Sequence, residues 1–77
     1  MITEKDIGRF VYRRDFPNAV GKIAAVEKAE KKCYVHFFSD GKKFLLSALS
    51  RDLELIVNEE KIKKLEAEFQ ASKKRSA

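Results

Sequence analysis

Cysteine, histidine and tryptophan are scarce in this sequence. Its 77 residues include one cysteine (Cys33), one histidine (His36) and no tryptophan. A lone cysteine cannot close an intramolecular disulfide, which favours a reducing compartment over those in which small secreted domains fold. Two candidate ligands also fall short of the roughly four that a structural zinc site needs. We therefore expect a cytoplasmic protein that holds no metal and no cofactor.

Long apolar runs are also absent. No stretch approaches the roughly 20 apolar residues that span a bilayer, and residues 1–6 lack the apolar core of a signal peptide. A chain of 77 residues forms one small domain, with little material for a deep catalytic cleft. These absences predict a single domain that is not an enzyme, does not enter a membrane and has no small-molecule substrate.

No arrangement of residues typical of catalysis is visible. His36 lies in a predicted strand, away from any nucleophile, and the glycines (Gly8, Gly21 and Gly41) are too scattered to form a phosphate-binding loop. Cys33 alternates with apolar residues along the same strand, which predicts a small core residue and not a reactive thiol.

Residues 1–57 carry short runs that are rich in β-branched and aromatic residues and are separated by turn signals. Pro17 and Asn18 break the first run, and Asp40-Gly41 supplies the positive φ of a tight hairpin. Ser47-Ala48-Leu49 is interpreted as a single helical turn. The predicted strands are residues 7–14, 20–26, 32–38, 43–47 and 53–57. Five short strands with tight turns predict a mainly β fold, a small five-stranded barrel.

A C-terminal helix is predicted over residues 59–70, within a segment that spans 58–71. Asn58 can cap its first turn, and Ile62, Leu65 and Phe69 form one narrow apolar stripe. This stripe predicts a helix packed on the barrel of a monomer; the alternative is that it pairs with a second copy. Residues 72–77 are too polar to pack, and we expect a disordered basic tail.

Three segments of the barrel region carry a family resemblance. Gly8-Arg9-Phe10-Val11-Tyr12, Val20-Gly21-Lys22-Ile23 and Cys33-Tyr34-Val35-His36-Phe37-Phe38-Ser39-Asp40-Gly41 resemble the Tudor and KOW group of SH3-like barrels. The resemblance covers residues 7–57 and implies an SH3-like barrel. It also implies two kinds of function. Tudor-type barrels bind methylated lysine or arginine in an aromatic cage, whereas KOW-type barrels bind RNA, DNA or a protein.

The cage positions implied by this resemblance are only partly aromatic. They fall on Phe37 or Phe38, on Phe44, on Arg14 and on Ala19. Two cage walls are therefore missing, and Phe16 could replace only one of them. The resemblance thus favours a binding module other than a reader of methylated side chains.

Basic residues supply the strongest indication of a partner. Lysine and arginine number 17 against 12 aspartate and glutamate, which gives a net charge of +5. In a five-stranded barrel, the exit of the first strand and the third hairpin can share one rim. The candidate nucleic-acid-binding residues on that rim are Arg13, Arg14, Phe16, Phe38, Lys42 and Lys43. Cations beside stacking aromatic rings suit single-stranded nucleic acid.

The sequence thus predicts low-specificity binding of RNA or DNA. Two other interpretations stay open at this point. In one, the basic residues are a solvated surface and Phe38 belongs to a minor core. In the other, the protein is an interaction adaptor that binds a peptide as Tudor domains do, through Phe16 and Phe38, or self-associates through its helix.

Overall fold

Five antiparallel strands in one sheet, followed by a C-terminal helix, confirm the predicted mainly β fold. The computed structural model describes residues 2–39, 42–71 and 73–74. The strands are β1 (Phe10–Arg13), β2 (Val20–Glu27), β3 (Lys32–Ser39), β4 (Lys42–Leu49) and β5 (Leu53–Leu55), and the helix is α1 (Glu59–Ala71). A two-residue strand, β6 (Lys73–Lys74), pairs in parallel with the start of β4. The strand order is β5-β1-β2-β3-β4-β6.

The sheet has two free edges and does not close into a barrel. A register shift between Ile23 and Ala25 interrupts the pairing of β2 with β3, and such irregularities bend a strand. A short 3₁₀ turn (Ser50–Asp52) leads from β4 to β5, which pairs with β1. In the described part of the chain β4 and β5 do not pair, so the predicted barrel is an open sheet.

Several strand boundaries differ from the prediction, and β5 ends at Leu55 and not at residue 57. The helical turn predicted over Ser47–Leu49 is wrong, because β4 continues to Leu49 and the turn follows over Ser50–Asp52. β1 begins at Phe10 and not at residue 7, since a 3₁₀ turn (Glu4–Asp6) and Gly8, with φ of 93°, precede it. The predicted Asp40-Gly41 turn lies outside the described residues.

One face of the sheet carries the larger apolar core. Its buried members come from every strand from β1 to β3, from β5 and from the N-terminal segment: Ile2, Val11, Ile23, Cys33, Val35, Phe37 and Leu53. Cys33 is fully buried among them, with its Sγ atom 3.3 Å from the Oγ atom of Ser50. This confirms that Cys33 is a core residue.

The helix packs on the opposite face and forms a second core. Asn58 caps α1, since its Oδ1 atom accepts a hydrogen bond from the backbone N–H of Lys61 at 2.9 Å. The cluster contains Phe10, Phe38, Ile56 and Leu65, with Ile62 and Phe69 packed against it. The apolar stripe predicted for the helix therefore faces the sheet.

Of the tail predicted to be disordered, the structure describes Lys73 and Lys74. Their backbone pairs with Lys42 and Lys43, respectively, so these two residues extend the sheet. Residues 72 and 75–77 lie outside the described part of the chain.

Candidate binding surfaces

The arginines at the exit of β1 are paired with carboxylates. The Nε and Nη2 atoms of Arg13 each donate a hydrogen bond of 3.0 Å to the carboxylate of Asp15. This contact lowers the pKa of Asp15 and raises the pKa of Arg13. The Nε atom of Arg14 lies 3.8 Å from the Oε2 atom of Glu54. The two arginines of the predicted rim are thus partly neutralised.

Phe16 is the accessible aromatic ring of the predicted rim. It lies in the connection between β1 and β2, and 59% of its surface is exposed. It follows Arg14 by two residues in the chain, and its stacking role stays a prediction.

Lys42 and Lys43 lie at the same end of the sheet as the exit of β1. Arg13 N–H bonds to Ala19 O, and the register across β2 and β3 continues to Lys42. Strands β2 and β3 lie between the two sites, so three strand spacings of ~4.8 Å give roughly 14 Å across a flat sheet. The rim residues therefore share an end of the sheet but do not contact one another.

Phe38 does not take part in this rim. It is only 8% exposed and lies under the helix. Its ring makes edge-on contacts with Phe10 and Phe69, at centroid distances of 6.0 and 5.5 Å. A base cannot reach the ring while the helix is docked, so the predicted stacking role of Phe38 is wrong for the folded chain.

The positions of the implied aromatic cage do not share an open site. Phe37 is buried in the larger core, whereas Phe38 is buried beneath α1 on the opposite face. Phe44 is opposite Phe37 in the register and is partly exposed. With two rings buried on opposite faces, no cage for a methylated cation forms among these positions.

Strand β4 exposes an apolar surface that the sequence analysis did not single out. The exposed fractions are 39% for Phe44, 53% for Leu45, 52% for Leu46 and 39% for Leu49. The available signal was the unbroken run Phe44-Leu45-Leu46. An apolar run without alternation makes both faces of a strand apolar. We call these four residues the β4 patch.

The backbone of β4 is also open along this patch. On its inner side β4 pairs with β3 from Lys42 to Leu49, whereas on its outer side β6 covers only Lys42 and Lys43. From Phe44 to Leu49, none of the described strands pairs with the outer side. A free edge flanked by exposed apolar side chains is a template for another strand.

A cleft of about 890 Å³ lies next to the end of β4. Its lining combines apolar residues with charged residues of both signs: Ile2, Val26, Leu49, Leu53 and Leu55, the cations Arg14, Lys28, Lys31 and Arg51, and the acids Glu27, Glu30 and Glu54. Leu49 belongs to both the cleft and the β4 patch, so the apolar surface is continuous from the strand into the cleft. Within the described residues, no three histidine, cysteine or carboxylate side chains converge as metal ligands.

Comparison of the chain with protein-family models, curated proteins and solved structures finds no match. The described helices include none with the length and apolar character needed to cross a bilayer. The chemistry of the exposed residues is therefore the basis for assigning a function.

Proposed function

We propose that this chain is a non-enzymatic interaction module that binds a protein partner along β4. The observation that carries the proposal is the coincidence of the β4 patch with a free strand edge. Phe44, Leu45 and Leu46 are three consecutive large apolar residues, and they expose apolar surface on both faces of the edge strand.

A free apolar edge has a physical cost in the absence of a partner. Natural proteins protect edge strands with charges, bulges or covering segments because unpaired backbone groups recruit other chains. The only charged residues of β4 are Lys42 and Lys43, and both lie in the part of the strand that pairs with β6. The open part of the edge therefore carries no charged side chain. Covering the remainder by a partner removes apolar area from water at about 25 cal/mol per Å² and pairs the open backbone groups.

The helix is a weaker candidate for an interaction surface. Ile62, Leu65 and Phe69 face the sheet and pack with Phe10 and Phe38. Self-association through this stripe would require the helix to leave the sheet and expose those aromatic rings. The apolar surface of β4 is available without such a rearrangement.

Site-specific photo-crosslinking in living cells tests the proposal. A benzophenone amino acid is placed at position 45 in β4 and, as a matched control, at position 57. Val57 is also apolar, is 72% exposed and lies beyond β5. We expect discrete protein adducts from position 45 and none of the same mass from position 57. The absence of protein adducts at position 45, or the same adducts at both positions, would contradict the proposal.

Nucleic-acid binding is the second candidate, and it rests on a different observation. The pairing of β4 with β6 places Lys42 beside Lys73 and Lys43 beside Lys74. Four lysine residues thus occupy one end of the sheet, the end at which Phe16 is exposed. Such a cluster can bind phosphates through counterion release. Crosslinked adducts that nuclease shortens would favour this candidate over a protein partner.

A further inference from the structure

We infer that the partner of β4 is an extended segment of another protein, apolar in its centre and acidic at both ends, which adds to the sheet as a strand. This inference rests on the proposed function and specifies the partner's chemistry. Three features of the edge carry it: the length of the open backbone, the apolar character of both faces and the charge at each end.

The length of the open edge sets the length of the segment. β6 limits the edge at Lys43, and the 3₁₀ turn that begins at Ser50 limits it at the other end. The open stretch runs from Phe44 to Leu49, six residues or roughly 20 Å at about 3.3 Å per residue. A segment of about six residues fills it.

Both faces of the added strand meet apolar neighbours. Phe44 and Leu46 lie opposite Phe37 and Val35 and belong to the face of the larger core. Leu45 lies opposite His36, on the face that carries the helix. Since successive side chains of a strand point to opposite faces, the centre of the partner segment is apolar at consecutive positions.

A cationic side chain lies at each end of the open edge, and at the far end Asp52 follows the cation directly in the chain. Lys42 and Lys43 lie at one end, where their backbone pairs with β6. Arg51 is exposed at the other end, and it forms no ion pair with any described residue. Acidic residues at both ends of the segment are therefore attracted whichever way the strand runs.

The same charges disfavour a second copy of this chain. Two β4 strands that pair antiparallel over the open stretch from Phe44 to Leu49 place the Lys43 end of each copy next to the Ser50–Asp52 turn of the other. Each end then combines the lysines of one copy with Arg51 of the other, and this repulsion is absent with an acidic partner.

Synthetic peptides test the inference directly on the full chain. The probe is a fluorescent ten-residue peptide with six consecutive apolar residues, alternating valine and isoleucine, between two glutamates at each end. Control peptides replace the glutamates with glutamines or with lysines. We expect the acidic peptide to bind about tenfold more tightly than the glutamine peptide at low salt, with the difference shrinking at 0.5 M salt. The lysine peptide should bind most weakly.

Two changes locate the binding on β4. Leu46→Lys should abolish binding of the acidic peptide, whereas Val57→Lys adds the same charge elsewhere and should retain it. Alternate N-methylation of the acidic peptide removes its backbone donors without altering the protein, and it should also abolish binding. This second measurement remains decisive if Leu46→Lys does not fold.

Other outcomes overturn the inference in distinguishable ways. Equal affinity for the acidic and glutamine peptides would refute the claim that the partner segment is acidic at its ends. Protein adducts at position 45 without binding of any peptide would refute strand addition and leave the proposed function standing. A concentration-dependent dimer in sedimentation that Leu46→Lys removes would identify the occupant as a second copy.

Discussion

The Nζ atom of Lys43 lies 3.9 Å from the centre of the Phe69 ring, so the start of β4 contacts the last turn of α1. Lys22 approaches the same ring at 4.9 Å and also bonds to Glu66 at 3.3 Å. With its ring contacts to Phe10 and Phe38, Phe69 joins the helix to four strands, β1 to β4. Phe69 belongs to the second core and not to the β4 patch. A substitution at Phe69 should therefore lower the stability of the fold without removing a side chain from the proposed binding surface.

Replacing Phe69 by alanine should destabilise the protein by about 2–3 kcal/mol. A fully buried phenylalanine costs about 3–5 kcal/mol when truncated, and Phe69 is only partly buried. Urea denaturation measures the loss, and Lys64→Ala on the exposed side of α1 is the control, with an expected change within about 0.5 kcal/mol. An unchanged stability of Phe69→Ala together with the loss of a dimer would indicate that the helix mediates self-association.

Gly21→Ala should destabilise the fold by about 1–3 kcal/mol through overpacking. A Cβ atom at Gly21 would lie 2.5 Å from Val35 Cγ1 and 2.8 Å from the backbone oxygen of His36, which cannot move independently of the sheet. Thermal unfolding measures this effect. If Gly21→Ala is as stable as the parent protein, β2 and β3 do not approach each other as closely at Gly21 as the distances above require.

At Gly8, in contrast to Gly21, an added Cβ atom causes backbone strain but no steric clash. No atom lies within 4 Å of a Cβ atom at Gly8, but its φ is 93°. Gly8→Ala should therefore cost roughly 1–2 kcal/mol. A chemically synthesised chain with D-alanine at position 8 should recover this loss, because the mirror-image residue favours positive φ. Failure of D-alanine to recover it would show that the cost has another origin.

The titration of Glu66 should report the contact between helix and sheet. Its pKa is lowered first by the hydrogen bond from the Gln70 amide and second by Lys22. Its contribution to stability is therefore present above its unfolded pKa and is lost as the pH falls through the lower folded pKa. Gln70→Ala and Lys22→Met should each raise the NMR titration midpoint of Glu66, because each removes a contact that favours the ionised carboxylate.

Asp15 is the internal control for this titration. Its pKa is lowered chiefly by the hydrogen bond from Arg13, which neither variant alters. The midpoint of Asp15 should therefore stay constant in both variants while that of Glu66 moves. A Glu66 midpoint that neither variant raises would contradict the assigned causes.

Nucleic-acid binding, if the second candidate function holds, should depend on Arg14 and Lys42. Replacing both by glutamine should reduce the slope of log K against log salt for duplex DNA by about 1.8, since each lost phosphate contact accounts for about 0.9. Fluorescence anisotropy at several salt concentrations measures the slope. Lys64→Gln removes a charge from the helix and should leave the slope unchanged. If it reduces the slope by as much per charge as the double variant does, the phosphate contacts are not specific to Arg14 and Lys42.

Phe16 and Phe38 should differ in the same experiment. Phe16 is exposed, so Phe16→Ala should weaken single-stranded more than duplex binding while the fold stays intact. Phe38 is buried under the helix, and Phe38→Ala should act by lowering stability. Preserved stability of Phe38→Ala with a selective loss of single-strand binding would restore Phe38 to the nucleic-acid site.

The sequence by itself determined the elements that depend on local patterns. Alternation between Cys33 and Phe37 defines β3, and Asn58 with the stripe on α1 defines the helix, because caps and periodicity are set by neighbouring residues. The mainly β architecture follows from these patterns. The predicted end of β4 was wrong because Ser47-Ala48-Leu49 has no strong local preference for strand or helix. The pairing of these residues with β3 decides that they are part of the strand.

Only the tertiary structure decided which surfaces are covered. Periodicity assigns Phe38 to a face of β3, but the docking of α1, far along the chain, buries that face. The pairing of Arg14 with Glu54 and the contact of Lys43 with Phe69 likewise join residues that are distant in sequence. The same holds for β4: an apolar run predicts a strand buried on both faces, and the absence of a described strand beyond Phe44–Leu49 leaves it open. Burial depends on what packs against a residue, which no local pattern encodes.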